Sequence, residues 1–231
     1  MKKIIIRTKA VSGYLRVWRC CVVFGLLCSL PFMMVYKYFV SLKSNSKTLF
    51  FFRKWRHSPS SVGAVFPSSV YLSRKLAHLA STHYQSGWVV ELGAGLGAIT
   101  HALTEAGVPP GRLIAVEQST EMVDRLRLAF PDVHVVHGGA EELSAILSSF
   151  CASVEVVVSS LPIRLWSKGK RAEIFSQISH ALGEHGIYLQ YTYAITERRN
   201  LYPDSFALQS SKIVWRNLPP AKVDCLAISS Q

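Results

Sequence analysis

Residues 89–100 read VVELGAGLGAIT and concentrate more chemistry than any other stretch of the chain. An apolar strand ends at Leu92, a turn runs through Gly93, Ala94, Gly95, Leu96 and Gly97, and a helical pattern begins there. Glycines at such a turn let the backbone approach a ligand closely, and the helix N-terminus behind it presents amide groups. A loop of this kind suits a dinucleotide or a sulfonium nucleoside. Gly93, Gly95 and Ala98 also satisfy the dinucleotide fingerprint, so the glycines alone leave both ligands open. Glu91 shifts the balance. An acid two residues before the first glycine lies where a methionine ammonium group would dock, whereas dinucleotide folds usually have an apolar residue there. Glu117, which ends a second strand about twenty residues on, can accept hydrogen bonds from both ribose hydroxyls. The bland alternative is a structural turn with two ordinary surface acids, and the order strand, turn, helix, strand, acid argues against it.

Those residues need elements to hold them. Pro67, Ser68 and Ser69 offer an N-cap to a helix over 70–83, with Leu72, Leu76 and Leu79 on one face. Strands are predicted over 88–92, 112–117, 133–137, 154–159 and 186–192. Helices are predicted between and beside them over 97–106, 120–130, 141–150 and 170–182, with stops at Gly107, Pro131 and Gly183. Five alternations of strand and helix imply a parallel sheet with helices on both faces. Residues 211–230 carry two more β-like stretches around Pro219 and Pro220, which fit a closing hairpin at one sheet edge.

The 231 residues suffice for one α/β domain and an appendage. The net charge of +12 suggests nucleic acid until its position is read. Residues 1–60 hold twelve Lys or Arg and no acid, and from residue 61 onward fourteen basic residues meet fourteen acidic ones. The excess therefore belongs to an arm, residues 1–60, and the domain over 61–231 is formally neutral. The arm also carries an uncharged apolar run over 20–36, with Arg16 and Arg19 before it and Lys37, Lys43 and Lys47 after it. Cations beside apolar surface suit an anionic leaflet, at about 1 kcal/mol for each cation near it. Seventeen residues, broken by Pro31, are short for a spanning helix of roughly 20. No small-x-small cleavage site follows Tyr36, against a signal peptide. Cations on both flanks leave the positive-inside rule without a vote, and an interfacial or re-entrant segment is expected, with a true span as the alternative. The expected location is the cytoplasmic face of a bacterial inner membrane. Cys20, Cys21, Cys28, Cys151 and Cys225 show no metal-ligand spacing and fit unpaired thiols in a reducing compartment, and no metal is expected.

These features resemble class I methyltransferases, and within them the bacterial phospholipid N-methyltransferase family, relatives of the rRNA adenine dimethyltransferases. FFRKW from Phe51, SVGAVFPSS from Ser61, VELGAGLGAIT, AVEQSTEM from Ala115, SSLPI from Ser159, QYTYA from Gln190 and WRNLPPAKV from Trp215 carry the resemblance over about residues 50 to 225. It implies a Rossmann-like, seven-stranded sheet with helices on both faces, beyond a hydrophobic helical arm. It also implies S-adenosylmethionine as cofactor, held by Glu91, Gly93, Ala94, Gly95, Gly97, Glu117, Gln118, Ala140, Glu141 and Ser160. The implied reaction is stepwise methylation of the phosphatidylethanolamine amine towards phosphatidylcholine. The alternatives are another aminolipid such as ornithine lipid, an rRNA adenine dimethyltransferase, or a tethered protein that binds the cofactor without turnover.

The sequence departs from the pattern twice. HGGAEEL puts Gly139 where an acid often holds the adenine amino group, leaving Glu141 or a backbone group to substitute. Ser160, Leu161, Pro162 and Ile163 replace the Asn-Leu-Pro-aromatic motif of the RNA enzymes, removing the amide and the stacking ring that a flipped adenine needs. With a neutral core this disfavours nucleic acid. Methyl transfer to a lipid amine is an in-line displacement in which positioning supplies most of the acceleration. Tyr191 and Tyr193, at i and i+2 on one strand face, are candidates to position the amine and to face a methylated ammonium, and Trp166 is a third. Arg53 and Arg56 are candidates to grip a lipid phosphate.

Overall fold

The computed structural model describes residues 68–150, 153–183, 185–195, 201–217 and 219–229. The apolar run over 20–36, the arm as a whole, and Arg53 and Arg56 lie outside the described residues.

Helix α1, Val70–His83, starts where the hydroxyl of Ser69 accepts the amide N–H of Leu72, and it turns Leu72, Leu76 and Ala80 inward. β1 (Trp88–Leu92) follows, then α2 (Ala98–Glu105), β2 (Leu113–Glu117), α3 (Thr120–Ala129) and β3 (His134–His137). Next come α4 (Leu143–Ser148) behind a 3-10 turn at Ala140–Glu142, β4 (Val154–Ser159), α5 (Lys168–Leu182) and β5 (Ile187–Thr192). The chain closes with β6 (Phe206–Val214) and β7 (Ala221–Ile228).

Seven strands form one sheet in the order β3-β2-β1-β4-β5-β7-β6. β1 to β5 run parallel, and the last two join as an antiparallel hairpin whose second strand lies against β5. The hairpin is the one expected around the proline pair, but β6 begins at Phe206, five residues before the predicted start. Its burial is irregular, and a register shift between Leu208 and Ser210 blurs the period-two pattern.

Each face of the sheet is covered by helices, as parallel strands require. On one face Leu72, Leu76, Leu103, Val123 and Leu126 of α1 to α3 pack on Val89, Ala115, Val158 and Leu189. On the other, Leu143, Leu147, Ile174, Phe175 and Ile178 of α4 and α5 pack on Val90, Ile114, Val157 and Tyr188. The strand order reverses between β1 and β4, and a crevice opens at the carboxyl ends of the strands at such a switch point.

Candidate active site at the carboxyl ends of the strands

The turn after β1 is built by backbone conformations that side chains resist. Gly93, Gly95 and Gly97 have φ of 77°, 57° and 78°. Their surroundings differ. A Cβ on Gly97 would sit 2.3 Å from Cε2 of Phe130, and one on Gly93 2.8 Å from the Ser160 hydroxyl, whereas one on Gly95 would meet nothing closer than 3.9 Å. The outer two glycines are demanded by the protein's own packing, and only the middle one faces open space. The amides of Gly93 and Ala94 donate to the Val116 carbonyl, that of Gly97 to Ala94, and that of Gly95 to the Glu117 carboxylate. The loop amides are thus spent on holding the loop's shape, and the uncapped first turn of α2 keeps its N–H groups for a ligand.

Glu91 sits fully buried on the α1–α2 face, in a strand otherwise apolar. One carboxylate oxygen accepts the Thr100 hydroxyl at 2.6 Å, and the other has no hydrogen-bond partner. Burial, with a smaller contribution from the Glu117 charge, pushes this carboxyl up to about 8. A buried carboxyl with one oxygen unsatisfied is costly in isolation and is the natural seat for a cation. Glu117, half-buried at the end of β2, accepts the Gly95 amide on one oxygen (2.9 Å) and the Ser119 amide on the other (2.8 Å). Each oxygen keeps a further lone pair for a hydroxyl.

The remaining expected cofactor residues lie around the same crevice. Ala94 is buried in the loop, and Gln118 follows Glu117 with its side chain exposed. Ala140 is buried at the start of the 3-10 turn after β3, and the Glu141 carboxylate folds back over Gly139, within 2.5 Å of where a Cβ would stand. Glu141 thus occupies the space that a side chain at 139 would take. Ser160, just beyond β4, donates its hydroxyl to the Gly93 carbonyl at 2.6 Å and its amide to Leu92 at 3.1 Å. Its hydroxyl proton is committed to clamping the glycine turn.

Tyr191 and Tyr193 do share a face, with ring centroids 5.7 Å apart in an edge-on arrangement. Tyr191 is only 5% exposed, packed beneath α1, with Ser68 and Tyr193 as hydroxyl neighbours and the Glu91 charge near enough to be felt. Burial raises both phenols above their ordinary range. The buried Tyr193 hydroxyl, beside Tyr191 and Asn217, completes no hydrogen bond. Trp166 is half-buried and already carries the Lys170 ammonium 5.4 Å from its ring centroid.

Three residues escaped sequence reading. Asn217, buried in the β6–β7 connection, accepts the Ser69 amide at 3.1 Å and donates to the Pro219 carbonyl at 2.7 Å. It joins the NLPPA motif to the start of α1, across 148 positions of sequence. Gln190 reaches from β5 to the Leu161 carbonyl at 3.1 Å, fixing the segment after β4, while its own oxygen accepts the Tyr188 hydroxyl. His137, at the end of β3, is exposed, with Nε2 3.0 Å from the Gln118 carbonyl. Motif co-occurrence was the one signal for Asn217, within WRNLPPAKV, and for Gln190, within QYTYA; for His137 there was none.

Against known proteins, residues 89–186 match the family model of a methyltransferase domain, from the first residues of β1 to the threshold of β5. The chain is 29% identical over 182 residues to the ornithine lipid N-methyltransferase of Singulisphaera acidiphila, covering 75% of this chain and 91% of that one. The chain is a class I S-adenosylmethionine-dependent methyltransferase. Solved structures agree on the fold of the methyltransferase. A TehB-like methyltransferase from Corynebacterium glutamicum superposes with a TM-score of 0.51 at 13% identity, over 79% of this chain and 98% of that one. Fibrillarin from Aeropyrum pernix, solved with S-adenosylmethionine bound, gives 0.53 at 13% identity, over 68% and 76%. The partnerless Glu91 oxygen and the open space before Gly95 suit a cationic ligand that approaches the turn closely.

Proposed function

We propose that the acceptor is the amine of a membrane aminolipid, and that an ornithine lipid is a better candidate than the phosphatidylethanolamine expected from the motifs. The observation that carries this reading is the match to an ornithine lipid N-methyltransferase along 91% of that protein's length, which extends well past the cofactor motifs. The missing Asn and aromatic ring around Leu161 support it from the side of what is not bound.

In this reading Glu91 holds the methionine ammonium, the first turn of α2 the carboxylate, and Glu117 the ribose hydroxyls. Gly95 admits the ligand closely, and Ala140 with Glu141 borders the base. When bound, the cofactor supplies a methyl group on a sulfonium, already a good leaving group. Glu91 binds its partner with the carboxyl ionised, so docking the ammonium releases a proton and satisfies the orphan oxygen. Ser160 keeps the glycine turn closed, and Gln190 fixes Leu161 beside it. Tyr191 and Tyr193, phenols that burial raises still further above neutral pH, stay protonated, so neither takes the amine's proton. They line the acceptor side with ring faces and hydroxyls that favour a cationic, methylated product. The basic arm over 1–60 holds the domain over 61–231 at the cytoplasmic face of the membrane.

The test supplies radiolabelled S-adenosylmethionine with ornithine lipid or phosphatidylethanolamine in separate reactions, with Glu91→Ala as control. Label in ornithine lipid with the wild type alone is the expected result. Label only in phosphatidylethanolamine corrects the head group, and cofactor binding with no lipid labelled overturns the lipid reading.

A further inference from the structure

The exposed apolar side chains of the methyltransferase are not scattered. Among the described residues seven large hydrophobics are exposed, and five of them, Val70, Tyr71, Leu165, Ile213 and Trp215, lie at one end of the sheet. Connectivity fixes which end. α1 runs back to the start of β1, so its first residues stand at the carboxyl end of the parallel strands. Thr192 at the end of β5 pairs with Lys222 at the start of β7, which puts the β6–β7 turn at that end too. Leu165 follows β4 directly and belongs there as well.

These residues form two lips beside the carboxyl ends of β4 and β5, on the acceptor side of the crevice. One lip joins the start of α1 to the β6–β7 turn. There Trp215 is 69% exposed at the tip, Val70 61% and Tyr71 50%, with the Arg216 guanidinium 5.2 Å over the Tyr71 ring. Asn217 holds this lip together through the Ser69 amide. The other lip is the connection from β4 to α5, where Leu165 is 80% exposed beside Trp166 and its stacked Lys170.

Charge follows the same division. The segments 68–83, 161–172 and 206–217 hold eight Lys or Arg and no Asp or Glu, although residues 61–231 as a whole are balanced at fourteen of each. Among the described residues, Glu117, Glu121, Glu141 and Glu142 lie at or after the ends of β2 and β3, Glu91 is buried in β1, and Asp224, buried on β7, is paired with Lys222. An indole at a turn tip, aliphatic side chains exposed beside it and segments rich in Lys and Arg match the headgroup region of an anionic leaflet, where rings sit at the boundary and cations face lipid phosphates. Exposed apolar side chains gathered in this way mark a surface that meets a partner or a membrane.

We propose that these two lips are the surface by which the catalytic domain itself docks on an anionic lipid leaflet, with Trp215 entering the interface and the acceptor opening facing the bilayer. The inference rests on the aminolipid reading for its purpose, and it is separate from any attachment through the basic arm.

The test uses the full chain on vesicles of equal parts phosphatidylglycerol and brominated phosphatidylcholine, free of aminolipid. Bromine on the acyl chains quenches a tryptophan that enters the interface. The expected result is a quenched component in the wild type that is missing in Trp215→Phe, while both proteins sediment with the vesicles. Equal quenching in the two, or quenching of neither while both are bound, overturns the proposal. A second arm compares Trp215→Ser and Arg216→Ser with the wild type in methyl transfer to an aminolipid, either embedded in the same vesicles or dispersed in detergent. Each variant is expected to lose about fivefold on vesicles, as for a single interfacial cation, and nothing in detergent. Equal losses in both media indicate a role inside the site and overturn the docking surface. If quenching depends on Trp215 but no aminolipid is methylated, the surface stands and the acceptor reading falls.

Discussion

The two halves of the crevice are built by different means. The cofactor half, over β1, β2 and β3, is assembled from residues close in sequence: Glu91 reaches Thr100, and Glu117 reaches Gly95 and Ser119. The acceptor half, over β4, β5 and the β6–β7 hairpin, is assembled from distant ones, with Asn217 bonded to Ser69 and Gln190 to Leu161. Local construction makes the first half a motif. The second is held by partners that only folding brings together.

The comparison predicts that variants in the first half strike cofactor binding and variants in the second strike acceptor turnover. The largest effect is expected at Glu91. Glu91→Gln removes the charge while keeping the shape, and should weaken S-adenosylmethionine by about 2–4 kcal/mol, a loss of roughly thirtyfold to nearly a thousandfold, read by calorimetry. Because the folded carboxyl titrates near 8 and the unfolded one near 4.5, the folded state holds the extra proton between them. The stability that this proton contributes is present below pH 4.5 and is lost as pH rises towards 8. Thermal melts should show that fall in the wild type and lack it in Glu91→Gln. Cofactor affinity should run the opposite way, strengthening by at most about tenfold per pH unit and levelling off near pH 8, since binding expels the proton.

Next in size is the contrast between two glycines of one turn. Gly97→Ala drives a methyl group into Phe130 at a left-handed φ and should cost about 2–4 kcal/mol of stability, measured by denaturant unfolding. Gly95→Ala meets only the backbone penalty of about 1–2 kcal/mol, and its main loss should be in cofactor affinity. If the two behave alike, the distinction between packing glycine and ligand glycine fails.

In the acceptor half, Asn217→Ala strands the Ser69 amide and should lower stability by about 1–3 kcal/mol. Its signature is a fall in turnover with cofactor affinity unchanged; weakened cofactor binding would show that the halves are coupled. The smallest effect is expected from Tyr191→Phe, which removes one hydroxyl and should cost about 1 kcal/mol of stability. A drop in kcat beyond that, at constant cofactor Kd, assigns the hydroxyl to acceptor positioning, and an unchanged kcat makes it a packing residue.

How legible each part was follows from range. The strands β1 and β4 and helix α1 were read to the residue, because an apolar run bounded by glycine and a serine-capped amphipathic stretch are local signals. The helix expected over 141–150 proved to be a 3-10 turn and a shorter α4, since the Glu142 carboxylate caps the Gly139 amide and tightens the entry. The early start of β6 was hidden because an edge strand carries little hydrophobic alternation. Ser160 was legible as a site position, but its commitment to the Gly93 carbonyl was not, because a hydroxyl's partner depends on what packs beside it.

The sequence alone determined the glycine turn, the two acids that serve it, the alternation that makes the sheet, and the division between a basic arm and a neutral domain. Each is a property of neighbours along the chain, where steric and periodic rules act directly. The tertiary structure alone decided that one oxygen of Glu91 lacks a partner, that Asn217 closes the acceptor side against α1, and that exposed apolar and basic residues from three segments meet at one mouth. Those depend on burial and on contacts between positions far apart, and neither exists until the sheet has formed.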